Sequence, residues 1–292
     1  MDSKEFLKNS QIHFRNSSSA IIKIGCELEF FLLTKNQNKV DQFVSDLVNS
    51  GLKAERERGA TQIEIKTNFT DDLATLCEEL ELAKQTIKNL AKGKNLEATF
   101  ASQPFENDCG SALQFNISLH DQSNKNLFSE KPEILQSAIN SLLASTNQMM
   151  IFLAPKAEDY QRFDRELNHK LFKNGKFTAP VNLSFGADNR SCAIRIAKGE
   201  SGKRLEYRIA AADANPRLCI SALLLALSQK TDLEFTPTFG NAFDEKFTLK
   251  NFCKNLEEAQ KNSVFPIEVR GGDSCERGAT LVALAYPEGI KS

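Results

Sequence analysis

Polar and apolar residues alternate with a period of two along much of this chain, and that alternation predicts most of its strands. β-Branched and aromatic residues fill 18–33, and TQIEIK over 61–66 alternates cleanly. Further strands are expected at 96–101, 111–119, 181–185, 192–196 and 204–209. Helical spacing takes over at 70–96. There Leu73, Leu76, Leu80, Ala83, Ile87 and Leu90 recur on one face, behind a cap and acidic first turn from Thr70, Asp71 and Asp72. A short helix is expected over 40–52 and a long one over 131–153, stopped by Ala154 and Pro155. Asn215 as cap and Pro216 at the first helical position open another helix to about 228. Segment 156–177 is polar and reads as a loop over a surface or a site. Beyond 230 the pattern is less regular, with a helix expected over 247–261 and one or two strands over 269–285.

No repeat, low-complexity segment or linker interrupts these elements, so one domain over 1–292 is expected. Lys plus Arg number 37 and Asp plus Glu 38. That balance speaks against a nucleic-acid surface, although a local basic cleft stays open. The apolar stretches are far too short to cross a bilayer. The seven cysteines show no C-x-x-C pairing and read as buried thiols of a reducing, cytoplasmic protein. Cys26 and Cys192 fall inside strands, as core thiols. Of only three histidines, His120 ends a strand and reads as a turn or surface residue. Gly271 and Gly272 read as a tight turn.

The candidate chemistry lies on the strand faces. Residues i and i+2 of a strand share a face, so Glu27 points with Glu29, Gln62 with Glu64, and Gln114 with Asn116 and Ser118. In KRLEYRI, Arg204, Glu206 and Arg208 align. For any one strand this is the wet face of an antiparallel sheet. Together the faces would crowd like charges, at a cost on the order of 1 kcal/mol or more per pair. Divalent cations relieve that repulsion, and neighbouring arginines hold phosphates by forked hydrogen bonds. Carboxylates, Mg²⁺ and arginines together suit phosphoryl transfer.

In order along the chain come GCELEFF (25–31), ERGATQIEI (57–65), EATF (97–100), CGSALQFNISL (109–119), TAPVNLSFGADNRSCAIRI (178–196), KRLEYR (203–208) and ANPRLCISALL (214–224). This series resembles the catalytic domain of the glutamine synthetase family. The resemblance implies an α+β fold: a curved, largely antiparallel sheet with helices outside and a polar concave face. It implies one Mg²⁺ or Mn²⁺ on Glu29, Glu57 and Glu64, and a second on Glu27, Gln114 and Glu206. It places Arg190 and Arg162 in the catalytic set. Ser118, Arg195 and Arg204 fall at ATP-binding positions, and Arg208 and Gly110 at substrate-binding positions. The implied reaction phosphorylates a glutamate-like carboxylate with ATP and lets an amine displace phosphate.

Three departures bear on that expectation. Only some 20 residues precede the E-x-E strand, where the family has about a hundred in a β-grasp domain that closes a neighbour's site. A homo-oligomer or a separate subunit is then expected to cover the cleft. The second metal's histidine is Gln114, and the motif's other histidine is Asn116. The loop glutamate that takes a proton from ammonium is Thr178, with Glu158, Asp159, Asp164 and Glu166 nearby. An amine other than ammonia is the expected acceptor. A binding relative without catalysis, or a phosphotransferase on another acceptor, stays open.

Overall fold

The computed structural model describes residues 2–263 except 177, 201, 245, 248 and 249. The strands expected at 269–285, the turn at Gly271 and Gly272, and Cys275 lie outside the described residues.

The centre is β1 (Ile21–Leu32). It pairs antiparallel with β3 (Gln62–Lys66) on one side and β5 (Leu113–His120) on the other. β2 (Lys53–Arg56) extends the first side, and β4 (Ala98–Thr99) pairs with the end of β1. On the other side follow β8 (Gly202–Tyr207), β7 (Ile194–Gly199) and β6 (Phe185–Ala187), in the order β2-β3-β1-β5-β8-β7-β6. Among the described residues, only β6 and β7 run parallel.

One face of this sheet is apolar. Ile24, Leu28, Phe30, Phe115, Ile117, Leu205 and Tyr207 are fully buried in one cluster with the helices. That cluster draws on α3 (Leu73–Gly93), α5 (Pro132–Leu153) and α7 (Pro216–Ser228). Asn215 caps α7 by accepting from the Arg217 amide at 2.9 Å, with Pro216 in its first turn. α2 (Gln37–Asn49) buries Val40, Phe43 and Leu47, and a single turn, α4 (Leu127–Glu130), buries Phe128.

Several boundaries differ from the sequence reading, each for a local reason. The N-terminal segment forms α1 (Ser3–Ser17), capped by Asp2 and burying Phe6, Leu7 and Phe14. Three apolar residues in a polar stretch make too thin a stripe to read as a helix. Most of the segment expected as a loop is helical, with a 3-10 helix over Ala157–Phe163 and α6 over Arg165–Lys173. Asp159 accepts from the Lys156 amide at 2.9 Å, and Asp164 caps α6 by accepting from Leu167 at 2.7 Å. The strand expected at 181–185 keeps only Phe185, at the start of β6; before it, Asn182 pairs with Asn251 in an isolated bridge and the Leu183 amide donates to the Lys250 carbonyl at 2.8 Å. The helix expected over 247–261 is only α8 (Leu256–Asn262), started by Asn255. His120 is buried, not a surface residue; its ring bonds Ser118 Oγ at 3.1 Å and the Asn124 carbonyl at 3.2 Å. Cys26, Cys77, Cys192, Cys219 and Cys253 are buried free thiols, and Cys109 is buried. Among the described residues, no helix is long and apolar enough to cross a membrane.

Candidate active site

The second face of the sheet carries the polar side chains. Register places Glu55, Glu64 and Glu29 in one row across β2, β3 and β1, and Gln114 opposite Glu27. Asn116, Glu206 and Arg195 form another row across β5, β8 and β7. These rows floor a polar cleft of about 480 Å³. Lining it are Glu27, Glu29, Glu57, Glu64, Gln114, Glu206, Gly110, Arg162, Arg190, Arg195, Arg204 and Arg208, so the site residues read from the sequence converge on one space. Ser118 is the exception. It is buried beside His120, away from the cleft lining.

Burial disfavours charge at the carboxylate end. Burial pushes the Glu29 carboxyl up to about 7, against the pull of Arg162 and Arg208. Glu64 is pushed up to about 9 by burial, then by Glu27 and Glu29, with Lys66 Nζ at 3.1 Å opposing. Glu29 accepts from the Ala112 amide at 2.8 Å and from Gln114 Nε2 at 2.5 Å.

The guanidinium end is tightly ordered. Glu206 accepts from Arg195 Nη1 at 2.6 Å and from Arg208 Nη1. Burial would raise this carboxyl, but Arg208 and Arg195 outweigh it and hold it below the ordinary range. Arg204 Nε donates to Asn116 Oδ1 at 2.8 Å, and Asn116 Nδ2 donates to Glu27 at 3.0 Å. Arg162 holds the end of β8, donating to the carbonyls of Arg208 at 2.7 Å and Ile209 at 3.0 Å. Burial lowers its guanidinium to about 10. Arg208 Nε is buried with no hydrogen-bond partner, so this edge of the cleft offers a donor to an anionic oxygen.

Among the described residues, no three of His, Cys, Asp and Glu stand close enough to enclose an ion as they are. The Glu29, Glu57 and Glu64 set nevertheless fits a hard divalent cation. All its donors are oxygens, and two of its carboxyls, Glu29 and Glu64, are raised by burial and by neighbouring carboxylates. Closing round an ion requires Glu64 to turn from Lys66. The Glu27, Gln114 and Glu206 set does not fit: Glu206 already holds Arg208 on one carboxylate oxygen and Arg195 on the other, and Gln114 Oε1 accepts from Arg208, while Glu27 engages Asn116 through one oxygen.

Lys66 and Glu55 also line the cleft and were missed, although Lys66 follows Gln62 and Glu64 at the same spacing of two. Thr178 lines the cleft. None of Glu158, Asp159, Asp164 and Glu166 does: Asp159 is buried against Ser102, and the other three are exposed.

The model of the glutamine synthetase catalytic domain matches residues 44–262. Gamma-glutamylputrescine synthetase PuuA of Escherichia coli (strain K12) is 28% identical over 202 residues, covering 68% of this chain and 41% of that protein. A glutamine synthetase of Sulfolobus acidocaldarius is 34% identical over 178 residues, covering 57% of this chain and 35% of its own. Gamma-glutamylethanolamide synthetase of Streptomyces coelicolor is 26% identical over 213 residues, with 70% and 43% covered. The chain thus spans less than half the length of these curated relatives. A solved GmaS/ADP complex superposes with a TM-score of 0.74 at 19% identity, covering 89% of this chain and 67% of the other, which establishes the shared fold. With a family match that runs over most of its length, the chain belongs to the glutamine synthetase family through that family's catalytic domain.

Proposed function

We propose that the cleft is the active site of an ATP-dependent ligase that joins a glutamate-like carboxylate to an amine other than ammonia. The observation that carries this reading is the juxtaposition, in one cleft, of buried carboxyls Glu29 and Glu64 with Arg190, Arg195, Arg204 and Arg208.

A free carboxylate is a poor electrophile with a poor leaving group, and splitting amide formation in two is the usual remedy. In the first step a carboxylate oxygen of the acid bonds to the γ-phosphorus, and the bond to the ADP oxygen breaks. In the second step the amine nitrogen bonds to the acyl carbon. Phosphate leaves with the original carboxylate oxygen, and the amine gives up a proton. Mg²⁺ or Mn²⁺ held by Glu29, Glu57 and Glu64 would offset charge on the transferred phosphoryl group. Arg190 and Arg204 would hold phosphate oxygens. Arg208, whose buried Nε has no hydrogen-bond partner, would receive the acid's carboxylate, in a strand end kept in place by Arg162. Partners of this site are ATP, the acid and the amine, and a further subunit over the cleft belongs to the same proposal.

Thr178 supports the choice of acceptor. A hydroxyl at the cleft wall neither holds ammonium as a carboxylate would nor takes its proton. The names of two relatives, gamma-glutamylputrescine synthetase and gamma-glutamylethanolamide synthetase, lead in the same direction. A second reading, a nucleotide-binding relative without catalysis, draws on one observation: Glu206 is already neutralised by two arginines.

ADP release separates the two. The purified chain is assayed with Mn²⁺, ATP, glutamate and a panel of amines. The ligase reading expects release that depends on both acid and amine, and weaker release with ammonia. ATP binding without acid-dependent release favours the second reading.

A further inference from the structure

The second cation position that the family resemblance implies is filled, in this chain, by its own side chains. Glu206 is bonded to Arg208 through one carboxylate oxygen and to Arg195 Nη1 through the other, at 2.6 Å. Gln114 uses both ends of its amide. Nε2 donates to Glu29 at 2.5 Å, and Oε1 accepts from Arg208 Nη1 at 3.0 Å. The chemistry fixes that orientation, because a carboxylate needs a donor and a guanidinium needs an acceptor. Glu27 accepts from Asn116 at 3.0 Å.

An ion on Glu206 would stand beside two guanidinium groups, both already within hydrogen-bond distance of its ligand. Glu206 is 2% exposed, so little water is present to screen that repulsion. Gln114 Oε1, the oxygen it could offer an ion, already faces the Arg208 guanidinium. The unpartnered atom in this part of the site is a donor, Arg208 Nε, and a donor calls for an anion.

We propose that the cleft takes one divalent cation, at its Glu29, Glu57 and Glu64 end, and that the Arg195–Glu206–Arg208 clamp replaces the second. Gln114 joins the two ends, so that the residue holding a cation ligand also aims the guanidinium that meets the substrate's anionic oxygen. The inference rests on the reading of the cleft as a cation and phosphoryl site.

The test is equilibrium binding of Mn²⁺ alone to the full chain, read from the electron paramagnetic resonance signal of free Mn²⁺ and by calorimetry. One ion per chain is expected. Glu64→Gln should lower its affinity about tenfold or more, and Glu206→Gln should leave the count at one. Should Glu206→Gln fail to fold, Gln114→His carries the same test. It supplies an imidazole donor, yet the clamp still holds Glu206, so the count stays at one. A second ion in the parent chain or in Gln114→His overturns the inference and leaves the cation site standing. No ion in the parent overturns both.

Discussion

Gly110 lies so close to Arg162 that a methyl group on it would stand 2.9 Å from Arg162 Cγ and 2.6 Å from the Ser102 carbonyl. The missing side chain is what lets the Arg162 guanidinium reach back to the carbonyls of Arg208 and Ile209. Gly110→Ala should therefore cost about 1–3 kcal/mol by overpacking and should weaken binding of the acid substrate. Gly93→Ala is the control. A methyl there meets nothing within 4 Å, and replacing a helical glycine gains up to about 1 kcal/mol. Urea midpoints of the two variants check this, and equal midpoints would contradict it.

Arg204 sits on the polar face, half-buried, with Nε on Asn116. Arg204→Ala should weaken ATP binding by about 1.5–3 kcal/mol, tenfold or more in Kd, for loss of a charged hydrogen-bond donor. Stability should fall by about 1–3 kcal/mol, because the buried Asn116 Oδ1 loses this donor. Calorimetric titration and thermal melts of the same preparation check both halves.

Much of this site was legible because strand alternation is a strong local signal. Within each strand, Glu27 with Glu29, Gln62 with Glu64, Gln114 with Asn116, and Glu206 with Arg208 could be assigned to a shared face from spacing alone. What spacing cannot show is which neighbour each side chain meets. That Glu206 is clamped by Arg195 depends on the pairing of β7 with β8, and that Gln114 bridges Glu29 and Arg208 depends on β5 lying between β1 and β8. Ser118 shares the face of Gln114 yet falls outside the cleft, because the strand runs on past the cleft's edge to His120. The fold was legible in its strands and in α3, α5 and α7, whose apolar stripes are long. It was not legible in α1 or α6, whose formation depends on single capping aspartates and on docking against distant elements.

That docking is directly testable at Phe14, which is 2% exposed on α1. Phe14→Ala should lower unfolding free energy by about 3–5 kcal/mol, the usual range for a buried phenylalanine. An unchanged urea midpoint would mean that α1 is not part of the core.

Asp159 gives a pH dependence of known sign. Burial raises its carboxyl to about 6, although Ser102 Oγ donates to it at 2.7 Å. Its ordinary value is 3.8, so the folded chain binds this proton more tightly than the unfolded chain does. Stability from this group is then fully present below about pH 4 and is lost as pH rises through about 6, by up to about 3 kcal/mol. Asp159→Asn removes the titration while keeping the shape. The variant should gain on the parent between pH 4 and pH 7 in urea midpoints, and a constant difference would contradict the assignment.

The acyl phosphate is the centre of this account, and oxygen tracing tests it most directly. Glutamate labelled with ¹⁸O in its side-chain carboxylate is incubated with the chain, ATP, Mn²⁺ and an amine that supports ADP release, and the released phosphate is analysed by mass spectrometry. Attack of the carboxylate oxygen on phosphorus predicts one ¹⁸O atom in each phosphate formed along with the amide. Phosphate free of label, with ADP still released, would mean that water is the acceptor and that the cleft is not a ligase site.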